Sequence, residues 1–182
     1  MLDTILFSIL SVVTIGAAWV TISTVKTGIP PMPSTGKLRG AVLDALEDVP
    51  PGTTVVDIGA GWGGLARRVA RERPDLAVYG YERTPVPFVF AALASRLLAR
   101  AGRTGVPRIL YRDFRSDGPQ TGACYIAYLS PEGMKWLRAL FEETLPTDVR
   151  LVSCAFAMRG WTPARVNKVT DMHRSRVYVY DL

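Results

Sequence analysis

The stretch Val55–Gly64, with the sequence VVDIGAGWGG, constrains the fold more than any other part of the chain. Two valines precede an aspartate, and four glycines follow within the next seven residues. Glycine allows positive φ angles and a close approach between backbone and ligand. A β-branched strand that leads through a glycine-rich loop into a helix is typical of sites for nucleotide-like ligands. The stretch therefore predicts a strand–loop–helix unit with a ligand site in its loop.

Strands and helices alternate along most of the remaining sequence. Apolar periodicity and proline or glycine breaks predict strands at Thr53–Ile58, Leu76–Glu82, Arg108–Asp113, Ala123–Leu129 and Val149–Phe156, and helices at Lys37–Val49, Leu65–Glu72, Pro85–Ala101 and Glu132–Leu145. Two final runs, Arg165–Val169 and Ser175–Tyr180, predict an antiparallel hairpin. The predicted fold class is α/β: a Rossmann-like doubly wound sheet, mostly parallel, with a C-terminal antiparallel hairpin.

The N-terminal segment Thr4–Val25 contains no charged residue. As a helix it would span roughly 33 Å, which is enough to cross a bilayer. A cleaved signal peptide would need a basic start, and the chain begins Met-Leu-Asp. A buried core helix usually carries polar residues on one face. We therefore expect one N-terminal transmembrane helix within an anchor at residues 1–26, a proline-rich connector at 27–36 and a ligand-binding domain at 37–182.

Basic residues follow the apolar segment, at Lys26, Lys37 and Arg39. The positive-inside rule then predicts a single-pass membrane protein with its domain on the cytoplasmic side. The absence of an Arg- and Ser-rich leader favours a bacterial inner membrane, with a mitochondrial membrane expected if the source is eukaryotic.

The formal net charge is +6, and many arginines fall in helical patterns: Arg67, Arg68, Arg71, Arg73, Arg96, Arg100 and Arg103. Solvated helix faces explain them most simply, and a surface held against anionic headgroups is the alternative. No stacking-aromatic pattern or nucleic-acid motif accompanies the charge, so we expect no nucleic-acid partner. Cys124 and Cys154 are expected to be buried thiols, and His173 is the single histidine. We therefore expect no metal site.

Acidic residues stand where the first three predicted strands end. These residues are Asp57, Glu82 and Asp113, and a Ser130-Pro131-Glu132 turn follows the fourth strand. The carboxyl ends of parallel strands meet at one edge of a sheet, where ligands bind. We therefore expect three carboxylates, the glycine loop and this turn to surround one site.

Two ligands compete for that site. The spacing Gly59, Gly61, Gly64 satisfies the pattern GxGxxG and allows a dinucleotide, whose ribose Glu82 would bind. However, Asp57 stands inside the strand, where a dinucleotide fold usually has an apolar residue, and no second domain is present in the sequence. S-adenosylmethionine accounts for all three acids. Asp57 would orient the amino acid end, Glu82 would accept both ribose hydroxyls, and Asp113 would accept from the adenine amine.

Three short motifs resemble those of one large enzyme class. Asp57–Gly63, Gly80–Glu82 and Arg112–Phe114 look like the first three motifs of the seven-β-strand S-adenosylmethionine-dependent methyltransferases. The terminal hairpin also resembles that fold. The resemblance implies S-adenosylmethionine as cofactor and a methyltransferase domain at 37–182. The cofactor-binding residues that it implies are Asp57, Gly59, Ala60, Gly61, Trp62, Gly63, Glu82, Arg83, Asp113 and Phe114.

A narrower resemblance rests on the N-terminal span, the segment Pro31–Thr35, the glycine loop, the proline after the fourth strand and Phe156–Pro163. Together they are similar to the small membrane-anchored protein-lysine methyltransferases, whose mitochondrial members methylate the ATP synthase c subunit and the adenine nucleotide translocase. This resemblance implies transfer of methyl groups to lysine side chains of a membrane-associated protein.

The methyl acceptor is expected beside the turn after the fourth strand. Ser130, Pro131 and Glu132 are predicted to line its channel, with Thr35 and Trp161 as second choices. The turn lacks the Asn-Pro-Pro-Tyr pattern used on adenine and glutamine amides, and no catalytic base is assigned. Two alternatives remain open: a lipid or lipophilic small molecule as acceptor, or a non-catalytic membrane scaffold.

Overall fold

The computed structural model describes residues 34–172 and 174–182, together with residues 4–8, 10, 11 and 14 of the N-terminal segment. The chain divides into two compact units, Met1–Met32 and Pro33–Leu182. The second unit contains every element described below.

A seven-stranded sheet forms the centre of the second unit. Its strands are β1 (Thr54–Ile58), β2 (Ala77–Glu82), β3 (Arg108–Tyr111), β4 (Cys124–Ala127), β5 (Arg150–Cys154), β6 (Arg165–Lys168) and β7 (Arg176–Asp181). They lie in the order β3-β2-β1-β4-β5-β7-β6. The first five pair in parallel, whereas β7 pairs antiparallel with both β5 and β6.

Four helices flank the sheet: α1 (Gly36–Ala45), α2 (Gly64–Glu72), α3 (Pro85–Arg100) and α4 (Pro131–Thr144). Local chemistry sets where they begin. The Thr35 and Ser130 hydroxyls accept hydrogen bonds from the first-turn amides of α1 and α4. Gly63 precedes α2 in a left-handed conformation, and Pro85 opens α3.

Both faces of the sheet are covered, which explains its nearly continuous apolar strands. One face packs against α1 and α2 through Leu38, Val42, Leu65 and Val69. The other packs against α4 through Met134, Leu137 and Phe141. Helix α3 packs on β2 and β3 at the edge of the sheet.

The prediction of a mostly parallel α/β sheet with an antiparallel C-terminal hairpin is confirmed. A short 3-10 turn at Phe114–Ser116 was not predicted, because three residues carry no periodicity. Within the described part of the chain, no helix is long and apolar enough to cross a bilayer. Most of the predicted transmembrane helix, Thr4–Val25, lies outside the described residues.

Candidate functional site

Glu82 ends β2 and lies buried, with 7% of its surface exposed. Its Oε2 accepts a hydrogen bond from the Gly61 backbone N–H at 2.8 Å, and its Oε1 accepts one from the Thr84 N–H at 2.6 Å. A carboxylate has about four acceptor positions, so two backbone amides leave about two for a ligand. Glu82 therefore fixes the glycine loop and keeps acceptors for a pair of hydroxyls.

The glycine loop takes a conformation that few other residues adopt. Gly59, Gly61 and Gly63 have φ angles of +75°, +54° and +71°. The loop is tied to β2 by the Ala60 N–H, which donates to the Tyr81 carbonyl at 2.8 Å. A Cβ at Gly61 would meet no described atom within 4 Å. Open space therefore adjoins the part of the loop that Glu82 holds.

Asp57 lies inside β1 with only 3% of its surface exposed. Its Oδ2 is buried and has no hydrogen-bond partner in the described structure. Burial is the main cause that raises the pKa of Asp57 to about 7; a hydrogen bond from the Ala66 backbone opposes it, and the nearby Glu82 charge adds to it. An unpartnered buried carboxyl is costly, so this group fits a ligand that supplies an N–H donor or a positive charge.

Asp113, after β3, is already paired. Its oxygens accept hydrogen bonds from the Arg115 guanidinium, the shortest at 2.6 Å, and its Oδ2 lies 3.4 Å from Arg83 Nη1. The Arg115 hydrogen bond lowers the pKa of Asp113 to about 2, against a smaller opposing effect of burial. An adenine amine would therefore compete with Arg115 for this carboxylate. The predicted contact stays a prediction.

Two aromatic residues predicted to bind the cofactor lie in different surroundings. The Phe114 ring is buried, with Tyr81 and Tyr125 at centroid distances of 5.5 Å, so its side chain belongs to the core. Trp62 is more exposed, and its ring meets Phe90 of α3 edge to face at 5.3 Å. Trp62 therefore forms part of the wall between the glycine loop and α3.

The turn after β4 lies next to the glycine loop. A Cβ at Gly59 would come within 3.2 Å of the Leu129 side chain. In that turn the Ser130 hydroxyl caps α4 by accepting from the Gly133 N–H, and Pro131 opens the helix. Glu132 is exposed and pairs with Lys135 at 2.8 Å. The turn is therefore brought to the site, whereas the Glu132 carboxylate points to solvent beside a lysine.

The two second choices for the acceptor channel both have structural contacts. Thr35 caps α1, accepting from the Leu38 N–H at 3.1 Å. The Trp161 ring packs against Phe141 and Tyr180, and its Nε1–H donates to Glu142 at 3.2 Å. These contacts account for both residues without a ligand, and their predicted roles stay predictions.

Two arginines that sequence reasoning did not assign to the site lie against the glycine loop. Arg67 Nη1 donates to the Trp62 carbonyl at 2.8 Å, and Arg39 Nε donates to the Ser34 hydroxyl at 2.8 Å. A Cβ at Gly64 would come within 2.9 Å of Arg39 Nη2. Burial and the Arg39 charge lower the pKa of Arg67. Neither guanidinium pairs with an acid among residues 34–172 and 174–182, so together they fit an anion.

The site therefore offers three kinds of recognition around one loop. Arg39 and Arg67 supply positive charge that no acid among residues 34–172 and 174–182 pairs with, Asp57 supplies a buried acceptor, and Glu82 supplies acceptors for hydroxyl groups. An amino acid end joined to a ribose carries all three complementary groups, so the residues fit S-adenosylmethionine. In the described part of the chain, no group of three or more His, Cys, Asp or Glu side chains is arranged to hold a metal ion.

Comparisons with known proteins agree with this geometry. The sequence profile of the ANTKMT methyltransferase domain family matches residues 57–165, which is more than half of the chain. The release factor glutamine methyltransferase of Burkholderia pseudomallei (strain K96243) is 35% identical over 85 residues. That match covers 46% of this chain and only 30% of the Burkholderia protein.

Solved structures share the fold. An RNA methyltransferase from Salinibacter ruber in complex with S-adenosyl-L-homocysteine superposes with a TM-score of 0.64 at 23% identity, covering 82% of this chain and 92% of that one. A SAM-dependent methyltransferase from Thiobacillus denitrificans, also in complex with S-adenosyl-L-homocysteine, superposes with a TM-score of 0.51 at 16% identity. The match covers 68% of this chain and 49% of the Thiobacillus chain.

Proposed function

Because the chain belongs to the ANTKMT methyltransferase domain family, we propose that it transfers methyl groups from S-adenosylmethionine to lysine side chains of a membrane-associated protein. The observation that carries the proposal is Glu82, a buried carboxylate at the end of β2 that holds the glycine loop through Gly61. Its remaining acceptor positions suit the two ribose hydroxyls of the cofactor.

The charged groups beside the loop suit the other end of the cofactor. The buried Asp57 Oδ2 has no hydrogen-bond partner among the described residues, which suits the ammonium group of the methionyl end. Arg39 and Arg67 lack acidic partners in the described structure, which suits its carboxylate. The loop backbone consists of Gly59, Ala60, Gly61, Trp62 and Gly63, and Arg83 follows Glu82 at the end of β2.

Bound S-adenosylmethionine supplies an activated methyl group, so the chain mainly has to position and desolvate the acceptor. The acceptor would reach the site at Leu129–Pro131, since the Leu129 side chain lies beside Gly59. A lysine nucleophile must be neutral, and removal from water lowers the pKa of its amine. Leu129 and Pro131 offer apolar surroundings for this step.

Two features support lysine over other acceptors. The motifs Pro31–Thr35 and Phe156–Pro163 resemble those of the membrane-anchored protein-lysine methyltransferases. The turn Leu129–Met134 lacks the Asn-Pro-Pro-Tyr pattern used on amide and adenine nitrogens. The uncharged segment Thr4–Val25 supports a membrane-associated target, because an anchor there would keep the site near the bilayer.

The test is label transfer from methyl-tritiated S-adenosylmethionine to a membrane fraction in the presence of the full chain. Lipid is extracted from protein, and the protein is hydrolysed in acid. We expect label in methylated lysine, because N-methyl-lysine survives acid hydrolysis.

A Glu82→Gln variant is the control and should transfer far less label. Label in the lipid extract would instead identify a lipid acceptor. Label released as methylamine would identify a side-chain amide. Either result would overturn the lysine proposal while leaving the methyltransferase assignment standing. The absence of transfer despite cofactor binding would favour a scaffold.

A further inference from the structure

Helix α3 has the reverse of the usual polarity for a surface helix. The residues that it buries are small or compact: Pro87, Ala91 and Ser95. The residues that it exposes are large and apolar, namely Val86 (51% exposed), Val89 (60%), Phe90 (54%), Leu93 (53%) and Leu97 (55%). Helices on soluble domains normally turn the apolar side to the core and the polar side to water. These five exposed residues are called the α3 apolar face below.

The α3 apolar face is continuous. At 3.6 residues per turn its members fall within an arc of about 100° opposite the buried Ala91. Trp62, on the glycine loop, extends the surface by its contact with Phe90 at 5.3 Å. Single exposed apolar residues are ordinary on proteins, but a contiguous stripe along three turns marks an interaction surface.

The stretch of sequence that contains this face carries charge of one sign. Residues 83–112 contain six arginines and no acidic residue. Arg96 and Arg100 lie on the outward side of α3, are exposed, and form no ion pair with any described residue. A second copy of the chain would bring the same arginines against each other. A partner with an apolar interior and negative charge at its surface would complement both the α3 apolar face and its arginines.

We propose that the α3 apolar face inserts into the headgroup region of a bilayer rich in anionic phospholipid, with Arg96 and Arg100 on the headgroup phosphates. An apolar helix face flanked by arginines binds in this way, at a depth of about 5–10 Å. The docking needs neither the segment Thr4–Val25 nor a particular methyl acceptor. Because Trp62 joins this face to the glycine loop, docking also holds the candidate site at the membrane surface.

A nitroxide spin label tests the proposal on the full chain. A Leu93→Cys variant places the label on the α3 apolar face, and Glu143→Cys places it on an exposed site of α4 as the control. Cys124 and Cys154 are 1% and 0% exposed, so the introduced cysteine is labelled selectively. The collisional accessibility of each label to oxygen and to a water-soluble nickel complex is measured with vesicles of phosphatidylcholine alone or mixed with phosphatidylglycerol.

We expect the oxygen-to-nickel accessibility ratio at position 93 to rise severalfold with phosphatidylglycerol vesicles, while position 143 does not change. An Arg96→Glu/Arg100→Glu variant should lose this rise. Its matched control is Lys168→Glu/Arg176→Glu, which makes the same charge change at a paired position of β6 and β7. This control should still show the rise in the accessibility ratio at position 93. A ratio at position 93 that stays at the value of position 143 would overturn the proposal.

Protection of position 93 without vesicles would also overturn it. Such protection together with a doubled mass in solution would identify a second copy as the occupant. Protection with a monomeric mass would identify another part of the same chain. These outcomes leave cofactor binding and methyl transfer untouched, so the docking and the proposed activity fail separately.

Discussion

At the scale of single residues, the site depends on one buried and two half-buried groups that the described structure does not fully satisfy. Asp57 has an unpartnered oxygen, and Arg39 and Arg67 have no acidic partner in the described structure. Such groups cost stability unless a ligand completes them. Stability and cofactor binding should therefore be coupled at each of these three residues.

Asp57 should make the cofactor-free protein less stable as the pH rises. Its carboxyl ionises near 3.8 when unfolded but keeps its proton to about pH 7 when folded, because burial disfavours the charge. The unfolding free energy should fall between these pH values by up to about 4 kcal/mol from this group. Urea unfolding of the wild-type protein and Asp57→Asn across pH 4–8 measures the difference. A constant difference between the two proteins across that range would contradict this account.

Arg39 and Arg67 should recognise the carboxylate of the cofactor. Replacing either by glutamine should weaken binding of S-adenosylhomocysteine about tenfold or more, the usual cost of a lost charged hydrogen bond. Binding of 5′-methylthioadenosine, which lacks the amino acid end, should change little. Arg68→Gln is the matched control, because Arg68 lies next to Arg67 on α2 but pairs with Glu72 at the surface. An equal loss with both ligands would show that the arginines act only on the structure of the loop.

At the scale of helices and strands, local signals carried most of the prediction. Pro85 and Gly102 bracket α3, and its predicted end was wrong by one residue. The positions of Asp57 within β1 and of Glu82 at the end of β2 followed from the β-branched and aromatic residues of these two runs. The meeting of Arg39 with Arg67 could not be predicted, because it needs α1 and α2 packed on the same side of the sheet. The inverted polarity of α3 was missed for the same reason, since only tertiary packing shows which side is buried.

The connection from α3 to β3 contains two glycines that allow a matched test. Gly102 and Gly105 have φ angles of +70° and +66°, so alanine is strained by about 1–2 kcal/mol at either position. A Cβ at Gly102 meets no atom of the described residues within 4 Å, whereas one at Gly105 collides with the Ala70 carbonyl. Gly105→Ala should therefore lower the unfolding free energy by about 1–3 kcal/mol more than Gly102→Ala. Urea unfolding of both variants checks this, and equal losses would show that the α3–β3 connection tolerates the collision.

At the scale of the whole molecule, the order β3-β2-β1-β4-β5-β7-β6 brings the ends of β1, β2, β3 and β4 to one edge. The alternation of strands and helices in the sequence was enough to predict that edge and the residues on it. The cofactor followed from the same residues. The methyl acceptor could not be predicted as firmly from the sequence. Ser130 and Trp161 already have structural contacts. Only a bound acceptor would reveal which residues surround it.

A chain that begins at Pro33 tests whether residues 1–26 serve methylation of the membrane substrate and not cofactor binding. The truncation is feasible because Pro33–Leu182 forms a compact unit by itself. It should bind S-adenosylmethionine as the full chain does, since every proposed binding residue lies after Pro33. Methylation of a membrane fraction should fall severalfold, because the anchor no longer raises the local concentration of the acceptor. Titration calorimetry and label transfer measure the two quantities. Undiminished methylation would remove the role proposed for residues 1–26.

The central claim is that Glu82 and the glycine loop hold S-adenosylmethionine. The most direct measurement is calorimetric titration of the full chain with this cofactor, beside Glu82→Gln, after circular dichroism has shown that both proteins are folded. We predict saturable binding to the wild-type protein and an affinity at least about tenfold lower in the variant, because Glu82 loses a charged acceptor for the ribose. No binding to the wild-type protein, or the same affinity in a folded Glu82→Gln variant, would contradict the account.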